Sequence, residues 1–218
     1  MRFRAVIFDL DGTLADTLSD IAEAMNRALA VHDLPTLEPH AYRTLVGEGV
    51  ERLVERALPT DRLDLVGPVL DDLKRYYTEH MLDRTTAYPG IPELLDRLTE
   101  RQIPMAVVSN KPEPATRWMV ERMFDRWHFA AVVGGTDGVP LKPDPTAVLE
   151  IASDLGIEPS ACLYLGDTMT DMQTAVAAGM YPVGALWGFR DRDELLAHGA
   201  KTLLEEPLDL LALLDPDR

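Results

Sequence analysis

Cysteine is nearly absent: Cys162 stands alone in 218 residues. A lone thiol excludes a disulfide framework within the chain and any cysteine-built zinc cluster. Lysine is scarce too, with only Lys74, Lys111, Lys142 and Lys201. Lys and Arg together reach 21 against 37 Asp and Glu, a formal net charge of −16, and no basic run interrupts the acidic surplus. Nucleic-acid binders carry a basic stripe, and an anionic bilayer surface would repel this chain, so neither partner is expected. No apolar run approaches the ~18 residues of a membrane span. The short run at residues 5–8 is broken by Asp9 and Asp11 before it resembles a secretory signal. The expectation is a soluble cytoplasmic protein. The five histidines, His32, His40, His80, His128 and His198, have no metal-ligand spacing.

What is present is ordinary for a folded chain, 46% hydrophobic and 27% charged. At ~100–200 residues per domain, the length allows one large domain or two small ones, and a core needs no cross-links. Short apolar runs recur at residues 5–8, 103–108, 129–133, 162–165 and 181–186. Their length and branched composition suit buried parallel strands. Helical periodicity lies between most of them: Ile91, Leu94, Leu95 and Leu98 follow i, i+3, i+4, i+7, as do Val148, Ile151, Ala152 and Leu155. This alternation predicts βαβ units and a doubly wound, mostly parallel α/β sheet.

One interval breaks the rhythm. About 95 residues separate the first two runs, where a crossover needs about a third of that. Leu18, Ile21, Ala22, Met25 and Leu29 share one helical face, and Val50, Leu53, Val54, Ala57 and Leu58 share another. Residues 61–82 form a third helical stretch, with a break expected near Gly67-Pro68. Residues 16–88 therefore read as an inserted all-helical cap, and residues 1–15 with 89–218 as the α/β core. Trp118 and Trp127, with Met119 and Met123, fit a packed helix, and Cys162 fits a core strand.

The strongest local pattern is Phe8-Asp9-Leu10-Asp11-Gly12-Thr13, where the first strand ends. Ligands of open α/β sheets bind at the carboxyl ends of strands, beside the switch point. Two carboxylates one residue apart can both face that crevice if the chain turns, and Gly12 permits the turn. They could hold a hard cation, divide nucleophile and acid–base duties, or form a polar loop of Asx turns. A second acidic pair, Asp167 and Asp171 in Leu165-Gly166-Asp167-Thr168-Met169-Thr170-Asp171, follows the fourth run, where Asp171 could equally cap a helix. Carboxylates converging from both pairs would repel one another without a metal. The all-oxygen donor set points to Mg²⁺. Lys142, in Pro140-Leu141-Lys142-Pro143-Asp144-Pro145, suits a fixed loop. It could neutralise an anion or simply sit in a surface turn. Ser109-Asn110-Lys111 ends the second run, where a hydroxyl and free N–H groups can grip phosphate oxygens or form a plain turn. A phosphate-loop lysine motif and a Gly-x-Ser-x-Gly elbow are both missing.

These four segments in this order, with a helical insertion after the first, resemble the haloacid dehalogenase superfamily over nearly the whole chain. The resemblance implies a Rossmann-like core and the following roles. Asp9 is the nucleophile forming an aspartyl-phosphate. Asp11 is the general acid and then the base. Mg²⁺ is held by Asp9, the Asp11 main-chain carbonyl and Asp167, with Asp171 supporting from just outside. Ser109, Asn110 and Lys142 hold the phosphoryl group, Lys142 also orients Asp9, and Thr13 steadies the loop as part of the binding set. Asp11 sets the chain apart from the dehalogenases and phosphonatases. The phosphonatases use a cap lysine, whereas Lys74, the one lysine of the insertion, reads as solvated.

The segment from Arg43 to Leu58, with Gly47, Glu48 and Gly49, taken together with Ser109-Asn110-Lys111-Pro112, Gly134-Gly135 and Leu141-Lys142-Pro143-Asp144-Pro145, resembles the bacterial phosphoglycolate phosphatases. The resemblance implies Mg²⁺-dependent hydrolysis of a small phosphorylated metabolite, 2-phosphoglycolate first. Glu48 departs from the small or amide residue usual there and would repel a glycolate carboxylate. Arg43, Arg52 and Arg56 are the candidate cations for that carboxylate. The alternatives within the superfamily are a phosphosugar phosphatase, a pyrophosphatase or a sugar phosphomutase. A non-catalytic binding module is the more distant one.

Overall fold

The computed structural model describes residues 3–215. The chain starts with β1 (Ala5–Phe8) and β2 (Ala15–Asp16), then four helices, α1 (Leu18–Val31), α2 (Tyr42–Leu45), α3 (Val50–Ala57) and α4 (Val66–His80). It continues through β3 (Thr86–Ala87), α5 (Ile91–Glu100), β4 (Met105–Pro112), α6 (Glu113–Met123) and β5 (Ala131–Gly135). Next come α7 (Thr146–Asp154), β6 (Cys162–Gly166), α8 (Met169–Ala177), β7 (Tyr181–Ala185), α9 (Arg192–Ala197), β8 (Thr202–Leu204) and α10 (Leu211–Leu214).

Six strands form one sheet in the order β5-β4-β1-β6-β7-β8. Every neighbouring pair in it is parallel. The chain leaves β1 toward β4 and β5, then returns to β6 on the other side. The switch point thus lies beside β1, whose carboxyl end carries Asp9. Each central strand alternates strictly between two cores, as a period of two requires. Val6, Phe8, Met105, Val107, Leu163 and Leu165 enter one, and Ala5, Ile7, Ala106, Val108, Cys162 and Tyr164 enter the other. Both faces are covered, which is why these strands read as continuous apolar runs.

Helices α1 to α4 bury a third cluster of their own, built from Ile21, Met25, Leu29, Tyr42, Leu53, Val54, Val69 and Leu73. The segments leading into and out of this insertion, β2 and β3, pair antiparallel. Asp20 fastens the exit. Its carboxylate accepts from the N–H groups of Arg84 and Thr85 and from the Thr85 hydroxyl. Near Gly67-Pro68 the stretch changes from a 3-10 turn at Leu63–Leu65 to α4, and both residues fall in the first turn of that helix. Proline costs little there, since its missing N–H has no intrahelical partner. No described helix is long and apolar enough to cross a membrane.

Candidate active site

The loop after β1 turns back at once. Gly12 has φ +87°, and a β-carbon there would collide with the Asp167 carboxylate. Glycine therefore serves both the turn and the close approach of β1 to β6. The turn aims Asp9 and Asp11 into a cavity of about 400 Å³ between core and insertion. Ser109, Asn110, Lys111 and Lys142 line its floor, and Ile21, Val46, Val50, Leu53, Leu73 and Met81 line its helical wall.

Asp9, Asp167 and Asp171 offer carboxylate oxygens within 4.8 Å of one another, and all three are buried. Asp167 accepts from the Thr13 hydroxyl at 2.9 Å and from the Phe189 N–H at 2.7 Å. Asp171 is more heavily engaged. One oxygen takes Lys142 Nζ at 2.7 Å, and the other takes the N–H and hydroxyl of Thr168. The Thr168 contacts form the capping box of α8, so the helix-cap reading of Asp171 and its place in the acidic cluster both hold. Lys142 Nζ also donates to the Val108 carbonyl and lies 2.8 Å from Asp9 Oδ1. That last approach is an ion pair that departs from ideal hydrogen-bond geometry.

The electrostatics follow from this crowding. Burial pushes the Asp9 carboxyl up to about 7, with Asp171 adding to the rise and Lys142 opposing it. Burial, then Asp9 and Asp171, holds Asp167 well above the usual carboxylate range. Burial alone would lower Lys142, but Asp171 and Asp9 outweigh it and keep the ammonium charged. Three converging buried carboxyl groups that offer only oxygen donors fit a small hard divalent cation.

The placement of the other predicted residues is uneven. Gly47, Gly49, Ser109 and Asn110 line the cavity. The Asn110 amide is spent on bracing: Nδ2 donates to the carbonyls of Gly47 and Lys142, and Oδ1 accepts from the Lys142 N–H. Two predicted residues do not line the cavity. Thr13 is fully buried with its hydroxyl on Asp167, where it orients a candidate metal ligand. Glu48 is paired with Arg56 and is not among the cavity-lining residues. The attraction of a neighbouring guanidinium draws it aside.

The candidate carboxylate partners are also committed. Arg52 pairs with Glu55, Arg56 with Glu48, and Arg43 reaches the carbonyls of Gly188 and Phe189. The structure adds three residues to the site. Lys111 Nζ donates to both oxygens of Asp11, at 2.8 and 3.0 Å, and to the Tyr77 hydroxyl at 2.8 Å. Trp118, read as a packing residue, lines the cavity instead. Lys111 was visible beside Ser109, but Tyr77 has no local signal, because it meets Lys111 only through the tertiary fold.

This site lies on a doubly wound parallel sheet whose acidic strand ends surround a buried lysine. Residues 6–185 match the haloacid dehalogenase-like hydrolase family, and the chain belongs to it. The relatives narrow the resemblance. The phosphoglycolate phosphatase of Chromobacterium violaceum is 34% identical over 213 residues, covering 95% of this chain and 96% of that one. The Escherichia coli K12 phosphoglycolate phosphatase is 33% identical, covering 85% of this chain and 82% of its own. A crystal structure from Lactobacillus delbrueckii subsp. bulgaricus superposes with a TM-score of 0.93 at 30% identity over all of both chains.

Proposed function

We propose that the protein hydrolyses a small phosphomonoester through an aspartyl-phosphate, with Mg²⁺ as cofactor and 2-phosphoglycolate as the first candidate substrate. The observation that carries the reading is the Asp9–Lys142–Asp171 arrangement. Asp9 is a buried carboxylate paired with a lysine that Asp171 holds in place. Asp11 is a second carboxylate on the same cavity.

The residues divide the chemistry as follows. Lys142 and Ser109 receive the phosphoryl oxygens and bring phosphorus in line with Asp9. An Asp9 oxygen bonds to phosphorus, the bond to the leaving oxygen breaks, and Asp11 supplies that oxygen with a proton. Asp11 then takes a proton from water, which attacks phosphorus, releases phosphate and restores Asp9. Asp9, Asp167 and the main-chain carbonyl of Asp11 would hold Mg²⁺, with Asp171 behind them. When bound, the ion neutralises the carboxylate–phosphate repulsion. The helical insertion acts as a cap that keeps bulk water from the site. The two relatives named phosphoglycolate phosphatase support the choice of substrate.

The test is phosphate release from 2-phosphoglycolate, hexose phosphates, nucleotides and pyrophosphate, with Mg²⁺ or with EDTA. We expect Mg²⁺-dependent release, the highest kcat/KM for 2-phosphoglycolate, and loss of turnover by ~10³-fold or more in a folded Asp9→Asn variant. Turnover by that variant near the wild-type rate would reject Asp9 as nucleophile. Release that is indifferent to EDTA would reject the metal.

A further inference from the structure

The cavity floor holds two lysines in different situations. Lys142 is held among Asp9, Asp171 and the Val108 carbonyl, all core groups. Lys111 is shared between core and insertion, two of its contacts going to Asp11 and the third to Tyr77 on α4. An ammonium has three donors, and all of them are spent. Both oxygens of Asp11 accept from this one ammonium. Either oxygen therefore meets the leaving group in competition with Lys111. Proton transfer at Asp11 is favoured once Lys111 shifts at least one of these hydrogen bonds to another acceptor.

An anion on the substrate is the natural competitor for that lysine. The walls offer such an anion little else. Val46, Val50, Leu53, Leu73, Met81 and Trp118 are apolar, and a carboxylate desolvated against them without a partner is costly. Arg43, Arg52 and Arg56 are committed elsewhere. Arg190, whose Nη1 has no hydrogen-bond partner, binds the carbonyls of Thr44 and Val46, pairs with Glu194 and does not line the cavity. Lys74 also lines the cavity, but its side chain is exposed. Lys111 is the buried cation on the leaving-group side whose partner a substrate anion can replace.

We propose that Lys111 recognises an anionic substituent on the leaving group, exchanging an Asp11 oxygen for it, so that recognition of the substrate frees Asp11 for proton transfer. The proposal rests on the phosphatase reading and deepens it. It limits good substrates to phosphomonoesters with a carboxylate or second phosphate close to the ester oxygen. Tyr77 is the positioning residue that keeps Lys111 tied to the insertion during the exchange.

The experiment compares kcat/KM for 2-phosphoglycolate and 2-hydroxyethyl phosphate, which differ in carboxylate against hydroxymethyl. It uses wild type, Lys111→Gln, Lys111→Arg and Lys74→Met, with p-nitrophenyl phosphate as a substrate whose leaving group needs no proton. A hydrogen bond to a charged group predicts a wild-type preference for the carboxylate of about 10-fold to 100-fold. Lys111→Gln should lower kcat/KM for 2-phosphoglycolate relative to p-nitrophenyl phosphate by about 10-fold to 100-fold, and so erase that preference. Lys111→Arg should restore part of the preference, and Lys74→Met should leave it intact. An unchanged preference in Lys111→Gln, or its collapse in Lys74→Met, overturns the proposal.

Should Lys111→Gln fail to fold, binding isotherms of the two esters to Asp11→Asn decide instead. With its competitor weakened, Lys111 should bind 2-phosphoglycolate several-fold more tightly than in wild type, with no gain for the hydroxyethyl ester. No selective gain overturns the exchange. If wild type fails to cleave even p-nitrophenyl phosphate, the phosphatase reading fails, which is a separate outcome.

Discussion

Asp9→Asn should make the metal-free protein more stable while abolishing its turnover. Burial and Asp171 lift the Asp9 carboxyl from 3.8 to about 7 in the folded state. A group raised on folding adds stability that is complete below its unfolded value, near pH 4, and is lost as the pH rises through about 7. Above that pH, folding carries the full cost of holding the ionised carboxylate in place. About three units at ~1.4 kcal/mol each sets that cost at up to about 4 kcal/mol. Asparagine is close in shape and carries no charge, and Lys142 keeps Asp171 and the Val108 carbonyl. For a chain of this length, 1 kcal/mol moves Tm by roughly 2–4 °C. In EDTA at pH 8, Asp9→Asn should therefore melt at least about 4 °C above wild type. At pH 5 wild-type Asp9 folds largely protonated, and the gap should shrink by more than half. Mg²⁺ at pH 8 should raise wild type more than the variant, since an ion that binds only the folded state stabilises it by mass action. Thermal melts across pH 5–8, with and without Mg²⁺, check each part. Equal melting temperatures in EDTA at pH 8, or a gap that persists unchanged at pH 5, would refute the electrostatic reading of the cluster.

Two further predictions concern residues away from the chemistry. Asp20→Ala removes the acceptor for two main-chain N–H groups and a hydroxyl where the insertion rejoins the core. It should cost about 2–4 kcal/mol and lower Tm by roughly 5–15 °C, and an unchanged melting curve would show that this link carries no stability. Glu48→Gln breaks only a partly exposed pair with Arg56, worth ~1 kcal/mol or less, so kcat/KM for 2-phosphoglycolate should stay within about twofold. A rise of tenfold or more would mean that Glu48 does face the substrate.

The fold was legible wherever the signal was local. Parallel strands buried on both faces leave short apolar runs, and all five long enough to show became strands of the sheet. β8, at Thr202–Leu204, was too short and too edge-placed to leave a run. The gap between Phe8 and Ile103 was legible from length alone. Gly67-Pro68 marks the start of a helix rather than a break inside one, because proline disrupts a helix interior but suits its first turn. The acidic strand ends were legible for the same local reason as the strands: a charged residue that directly follows a buried run sits at the sheet's carboxyl edge.

Charge pairing was not legible, because it is a tertiary property. Glu48 looked like a repulsive residue in the site until Arg56, eight positions later, drew it aside. Lys111 shows the opposite case. In sequence it follows Ser109 and Asn110 and looks like one more turn residue. In the fold, β4 runs on to Pro112, which carries Lys111 over the cavity floor toward Asp11, in the loop after the adjacent β1, and Tyr77 on α4. A protein with a formal charge of −16 repels anions at long range, so attraction must be local. Two of its few lysines are buried at the cavity floor, each already paired with a carboxylate. A substrate dianion therefore enters by replacing partners rather than by meeting free cations. Selectivity then depends on whether the arriving groups compete well enough with Asp9 for Lys142 and with Asp11 for Lys111.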